Sequence, residues 1–186
     1  AFVCVAWRGE KAASLQSDTL DVISSMLSNG RAGLFDTNLN QPMKVMAAQA
    51  FCQTQQDYSS FVLYGVPRQG QTLEEVKDLM VAQLDNLKKG NIDDDLLPSI
   101  VNNLKRRYMQ ALDNNRWRVS EMVNSFVNGD SWQQHANSIA RIEKMTKQDI
   151  VAFANRFFTN GYAVIYKTQG TDSLAKKIDK PAITPI

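Results

Sequence analysis

The sequence predicts an α+β domain with a mixed, mainly antiparallel β-sheet and helices packed largely on one face. Its predicted elements follow the order strand, helix, two strands, several helices, strand. The two neighbouring strands, within residues 44–69, are joined by a short polar turn, which favours antiparallel pairing. The helices that follow form a long crossover before the last strand, and such a layer covers a sheet from one side.

Length and composition limit the classes to which the chain can belong. It has 186 residues, 44% apolar and 22% charged, which is typical of one globular domain. The formal net charge of +2 gives no broad basic surface, so we expect no nucleic-acid partner. No apolar run approaches the roughly 20 residues that span a bilayer, so we expect no membrane span.

The predicted strands begin with residues 2–7 and continue in a central hairpin at residues 44–69, with its turn at 56–59. Apolar side chains alternate onto both faces of the hairpin, which indicates central strands covered on each side. One face carries Val45, Ala47 and Phe51, and the other carries Met46, Ala48, Ala50 and Cys52. Residues 162–166 form the last predicted strand.

The first predicted helix is capped by Ser17 or Asp18 and ends at Asn29-Gly30, and a short second helix contains Leu34, Phe35 and Leu39. Thr72 and Glu75 form a capping box at the start of a helix that ends at Gly90. Further helices extend from Asp93–Asp95 to about residue 114, over 116–127 with Met122, Val123 and Phe126, and weakly over 131–143. The last helix begins at Thr146, with Asp149 three residues later.

The residues that carry chemistry do not form a catalytic constellation. His135 is the sole histidine, so neither a nucleophilic triad nor a histidine-based zinc site is predicted. Cys4 and Cys52 lie in strand patterns and are interpreted as free, buried thiols. Asp93–Asp95 suit the first turn of a helix, and the basic run 105–107 is interpreted as a solvated helix face.

Three segments together resemble a known family. They are LDVISSMLSNGRAGLFDTNL (20–39), GVPRQGQTLEEVKDLMVAQLDNLKKG (65–90) and IEKMTKQDIVAFANRFFTNGYAVIYK (142–167). They are similar to the repeated α+β module of the insulinase/pitrilysin metallopeptidases. The catalytic module of that family binds zinc through an H-x-x-E-H motif, which a chain with one histidine cannot contain. The resemblance therefore implies a non-catalytic module, the second of a longer multi-module chain.

The resemblance also implies a domain organisation and a function. Residues 1–167 are the module, and 168–186 are an extended linker or tail. We expect a non-catalytic domain of a zinc-dependent metalloendopeptidase that forms part of the substrate chamber wall, with zinc in the catalytic module of the parent and no cofactor here. The alternative is a structural module of an inactive family member, like the processing-peptidase and respiratory core proteins.

The partners implied are other modules of the same or a sister chain, and peptide substrates. The matching peptide-contacting positions are Gly30, Arg31, Ala32, Gly33 and Leu34, although the turn is more simply interpreted as a link between two helical segments. Contact with a partner module is expected at the face that carries Met46, Ala48, Ala50 and Cys52. Relatives occur in several compartments, and the bacterial periplasm or cell envelope is the leading expectation here.

Overall fold

Four strands form one sheet in the computed structural model, which describes residues 1–12 and 14–170. The strands are β1 (Phe2–Gly9), β2 (Ala47–Gln53), β3 (Ser59–Val66) and β4 (Ala163–Lys167), and their order in the sheet is β2-β3-β1-β4. Every neighbouring pair is antiparallel. The α+β class is confirmed, and the described sheet is antiparallel throughout.

Seven α-helices and one π-helical segment lie in the described part of the chain. They are α1 (Leu15–Leu27), the π-helical segment (Asp36–Asn40), α2 (Leu73–Lys88), α3 (Leu96–Leu112), α4 (Asn115–Val127), α5 (Trp132–Ala136), α6 (Ser138–Ile142) and α7 (Lys147–Phe157). The capping boxes predicted at Thr72 and Thr146 are both present. The start of α1 lies earlier than predicted, because Ser14 accepts the Ser17 amide at 3.1 Å and caps the helix.

The core lies between the helices and one face of the sheet. Val3, Val5 and Trp7 on β1 and Phe61 and Leu63 on β3 are at most 3% exposed. They pack with buried side chains of α1, α2 and α7, which form the helical layer. A Cβ atom at Gly65 of β3 would lie 2.5 Å from Val76 Cγ1 on α2, so this glycine permits close approach of the helix to the sheet.

The opposite face of the sheet has no helical cover in the described structure, so the prediction of a hairpin covered on both sides is wrong. β2 is an edge strand rather than a central one. On β2, Ala48 and Ala50 are 0% and 8% exposed on the helix side, whereas Phe51 on the other side is exposed. Apolar residues on both faces of β2 hid this difference from sequence reasoning.

The face chosen for module contact therefore needs correction. Ala48 and Ala50 face α1 within the chain's own core, and Cys52 packs beside them. Their small size lets α1 approach β2, and it leaves no surface of Ala48 for another module. Met46, which precedes β2, is 68% exposed, and contact through it stays a prediction.

The two cysteines are free thiols, as predicted, but both are half-buried rather than buried. The register places Cys4 on the uncovered face of the sheet and Cys52 on the helix side, two strands away. No helix among the described residues is long and apolar enough to cross a membrane. Of the predicted tail, residues 171–186 lie outside the described part of the chain.

Candidate functional site

The glycine-rich turn after α1 is held by two side chains. Asp36 Oδ2 accepts the backbone N–H groups of Asn29 at 2.8 Å, Gly30 at 2.8 Å and Gly33 at 3.2 Å. Asn29 Oδ1 accepts those of Arg31 and Ala32, each at 3.0 Å. All five amides of residues 29–33 are thus bonded within the turn. A ligand at this turn would have to use side chains or carbonyl groups.

The two glycines of the turn have local structural roles. Gly30 has a φ of +81°, in the left-handed region where a side chain is strained. A Cβ atom at Gly33 would lie 2.5 Å from the Leu27 carbonyl oxygen, so the turn packs directly on the end of α1. These contacts explain why glycine occurs at both positions. Contact of a peptide with residues 30–34 stays a prediction.

A groove of about 410 Å³, which we call the basic groove, separates this turn from α3. Its lining includes three guanidinium groups, from Arg31 on the turn and from Arg106 and Arg107 on α3, and no carboxylate of the described residues. Arg106 Nη2 donates to Asn103 Oδ1 at 3.0 Å, which fixes that side chain along the groove. Guanidinium groups bind carboxylates in a bidentate manner, so this groove suits an acidic ligand.

A second groove, of about 470 Å³, lies on the other side of Ala32 and is called the acidic groove. Asp93 and Asp95 line it, and it shares Ala32, Leu96 and Ser99 with the basic groove. The two grooves form a continuous polar surface with opposite charge at its two ends. Of the predicted peptide-contacting residues, Arg31, Ala32 and Leu34 line this surface.

Sequence reasoning missed the arginines of α3 as site residues. Ser99, Asn103, Arg106 and Arg107 recur at intervals that place them on one face of a helix, which was a usable signal. The sequence gives no indication that this face lies opposite the turn, because α1 and α3 are separated by four other elements.

The uncovered side of the sheet, called the open sheet face, is a second candidate surface. The register brings Cys4, Tyr64 and Ile165 side by side on three neighbouring strands, and Val62 next to Phe51. Ile165 is 60% exposed and Phe51 is 36% exposed. A contiguous exposed apolar face is typical of a surface that binds another polypeptide.

His135 does not belong to a metal centre. Its Nε2 lies 2.9 Å from Glu121 Oε2, and its Nδ1 lies 3.9 Å from Asp130 Oδ2. Nowhere in residues 1–12 and 14–170 do three histidine, cysteine, aspartate or glutamate side chains form a group that could hold a metal ion. A catalytic zinc needs three protein ligands, so the residues described do not fit that ion.

The described residues form an α+β module, with one sheet face covered by helices and the other open. Residues 1–104 match the family model described as the peptidase M16 inactive domain, and the chain belongs to this family, the insulinase-like metallopeptidases. It is an inactive, non-catalytic domain of that family, as the sequence predicted. No curated protein matches the chain.

Solved structures share the fold. A protease from Helicobacter pylori aligns with a TM-score of 0.82 and 21% identity, over 88% of this chain and 40% of that one. The inactive peptidase domain of a candidate zinc protease from Bordetella parapertussis aligns with a TM-score of 0.79 and 14% identity, over 93% of this chain and 94% of that one. A periplasmic protease from Escherichia coli aligns with a TM-score of 0.66 and 13% identity, over 84% of this chain and 18% of that one. The chain thus spans two fifths of the H. pylori protein and nearly all of the B. parapertussis domain.

Proposed function

We propose that this domain forms part of the wall of a peptide-holding chamber in a multi-module zinc metalloendopeptidase. The observation that carries the proposal is the one-sided cover of the sheet, with Ile165 and Phe51 exposed on the open sheet face. Burial of apolar surface contributes about 25 cal/mol per Å², so a second polypeptide is stabilised when it covers such a face. In this proposal that polypeptide is another module of the same or a sister chain.

The zinc chemistry belongs to the catalytic module in this account. The sole histidine of this chain, His135, lies between the carboxylates of Glu121 and Asp130, and the described residues contain no group of three side chains that could hold a metal ion. The contribution of this domain is to bind and orient peptide. Its partial coverage of the H. pylori protease agrees with this division, because that relative contains further polypeptide beside the shared fold.

The basic groove is the proposed peptide-binding surface. Arg31, Arg106 and Arg107 favour glutamate and aspartate side chains or a terminal carboxylate. The amides of the glycine-rich turn are already bonded, so specificity comes from these side chains and not from the turn backbone.

We also propose a location in the bacterial periplasm or cell envelope. It is supported by the fold shared with the periplasmic E. coli protease. Detection of the native protein by antibody in periplasmic and cytosolic fractions tests it, and a purely cytosolic protein would contradict it.

Fluorescence anisotropy with a labelled acidic peptide tests the binding proposal. The domain can be studied alone, since the matching B. parapertussis domain was crystallised as a chain of nearly the same extent. We expect the double variant Arg106→Gln/Arg107→Gln to bind the acidic peptide about 10-fold more weakly, which corresponds to a loss of about 1.4 kcal/mol in binding free energy. Lys105→Gln is the matched control, because Lys105 is on the same helix but bonds Glu143 at 2.6 Å. Equal affinity of the double variant and the natural chain would refute the peptide role of the groove.

A further inference from the structure

A small cavity lined by carboxylates lies beside the first half of α1. Its volume is about 160 Å³, and α1, the connection between α4 and α5, and α6 contribute to its walls. We call it the acidic cavity. Its charged or titratable lining residues are Asp18, Asp21, Asp130, His135 and Arg141. None of them was identified as a site residue from the sequence.

Asp130 carries an unsatisfied buried oxygen in this cavity. Its side chain is 4% exposed, and its Oδ1 has no hydrogen-bond partner among the described residues. The backbone is fixed by Ser125, whose Oγ donates to the Asp130 carbonyl at 3.0 Å and whose carbonyl accepts the Asp130 amide at 2.9 Å. A buried carboxylate oxygen without a donor is costly, so Asp130 is held ready to accept a hydrogen bond.

The nearby basic side chains already contact other groups. Arg141 Nε donates to Asp18 Oδ2 at 2.6 Å, and its Nη1 donates to the Gln134 carbonyl at 2.7 Å. His135 Nε2 lies 2.9 Å from Glu121 Oε2, and its Nδ1 lies farther, at 3.9 Å, from Asp130 Oδ2. Asp21 and Asp130 have no lysine or arginine partner within the described part of the chain. The cavity therefore has an excess of negative charge.

We propose that the acidic cavity binds the ammonium or guanidinium group of a lysine or arginine side chain in a peptide held by this domain. This inference rests on the proposed function for the source of the side chain. An N–H donor on a cation satisfies Asp130 Oδ1, and its charge neutralises that of Asp21. The hydrogen bond from a cation to a carboxylate is charge-assisted and therefore of the stronger kind. The cavity is large enough for a side-chain end group but too small for a folded element.

The position of the cavity on α1 connects it to the basic groove. Asp18 and Asp21 line the cavity, and Ser25 and Ser28 line the groove. Their spacing of three, four and three residues places all four on one side of the helix. Asp21 and Ser28 are about 10 Å apart along the axis, which equals about three residues of extended peptide. The preferred peptide therefore has a basic residue about three positions from an acidic one.

Titration of the ¹⁵N-labelled domain with acetyl-lysine methylamide and acetyl-arginine methylamide, followed by NMR, tests this inference. We expect saturable shifts of the Asp130, Ser125 and Asp21 amides, with a dissociation constant on the order of 1–10 mM for one charge-assisted contact. Acetyl-norleucine methylamide, which lacks the charge, should give no such shifts. Asp130→Asn should weaken binding about 10-fold or more.

Asp85→Asn is the matched control, since Asp85 is an exposed acid of α2 outside the cavity, and it should bind the lysine probe like the natural chain. Equal shifts with norleucine, or shifts by lysine that survive in Asp130→Asn, would overturn the proposal. The spectrum of each variant also reports whether it is folded. If the lysine and arginine probes do not bind but the acidic peptide does, the proposal for the acidic cavity alone is refuted. Loss of acidic-peptide selectivity would refute the proposed function.

Discussion

Replacement of Asp36 by alanine should unfold the glycine-rich turn and weaken the whole domain. The carboxylate is 5% exposed and accepts three turn amides through Oδ2, and its Oδ1 is 3.3 Å from Asn40 Nδ2. Asn40 in turn bonds both the amide and the carbonyl of Ala48 on β2, at 2.8 and 2.9 Å. Asp36 and Asn40 together connect the turn to the edge of the sheet.

The expected cost can be estimated from these contacts. The amides of Asn29 and Gly30 are partly exposed, so water replaces most of what they lose. The Gly33 amide is buried and would be left without an acceptor. A hydrogen bond to a charged group contributes about 1.5–3 kcal/mol, and an orphaned buried donor costs a similar amount. We expect Asp36→Ala to lower the free energy of unfolding by about 3 kcal/mol.

Urea denaturation followed by circular dichroism measures this change. Asp36→Asn is the control, because it retains an acceptor oxygen in place of Oδ2 and should lose less than the alanine variant. The affinity of the basic groove for acidic peptide should also fall in Asp36→Ala, since Arg31 is displaced with the turn. A loss of stability below about 0.5 kcal/mol in Asp36→Ala would refute the reasoning, because surface substitutions alone produce changes of that size.

Two further predictions concern the sheet and the cavity. Gly65→Ala should destabilise the domain by about 1–3 kcal/mol in the same urea assay, because the added methyl group overpacks against α2. Gly161→Ala is the control, since its Cβ would make ordinary contacts and stability should change little. Equal effects of the two substitutions would contradict the close approach of α2 to Gly65. Burial of the Asp21 carboxyl by the cavity walls, although part of the side chain is exposed, and the charge of Asp18 raise the Asp21 pKa to about 6. Its ionisation therefore opposes folding as the pH rises from about 4 to 6, and Asp21→Asn should gain Tm relative to the natural chain at pH 7.5 but not at pH 4. A pH-independent difference in Tm would contradict that pKa.

Features set by local sequence were predictable. The capping boxes at Thr72 and Thr146 depend on residues three positions apart, so the sequence contains all the information that they need. The short helix after the glycine-rich turn was expected from Leu34, Phe35 and Leu39, and the chain forms a π-helical segment there. Free cysteines also followed from local strand patterns.

Features set by contacts between distant elements were not predictable. Both sides of β2 carry apolar residues, and only the position of α1 decides that Ala48 is buried while Phe51 is exposed. Helix α4 lies where expected, yet Phe126 is 85% exposed and Ser125 is the one buried residue of that helix. The two grooves and the acidic cavity likewise arise where separate helices meet, and no local pattern encodes such a meeting.

The central claim is that this domain holds peptide and leaves its hydrolysis to another module. The most direct measurement incubates the purified domain with the acidic peptide and added Zn²⁺, and follows binding by anisotropy and cleavage by mass spectrometry. The account predicts binding that depends on Arg106 and Arg107, with the peptide recovered intact. Cleavage that requires zinc and is abolished by a chelator would contradict it.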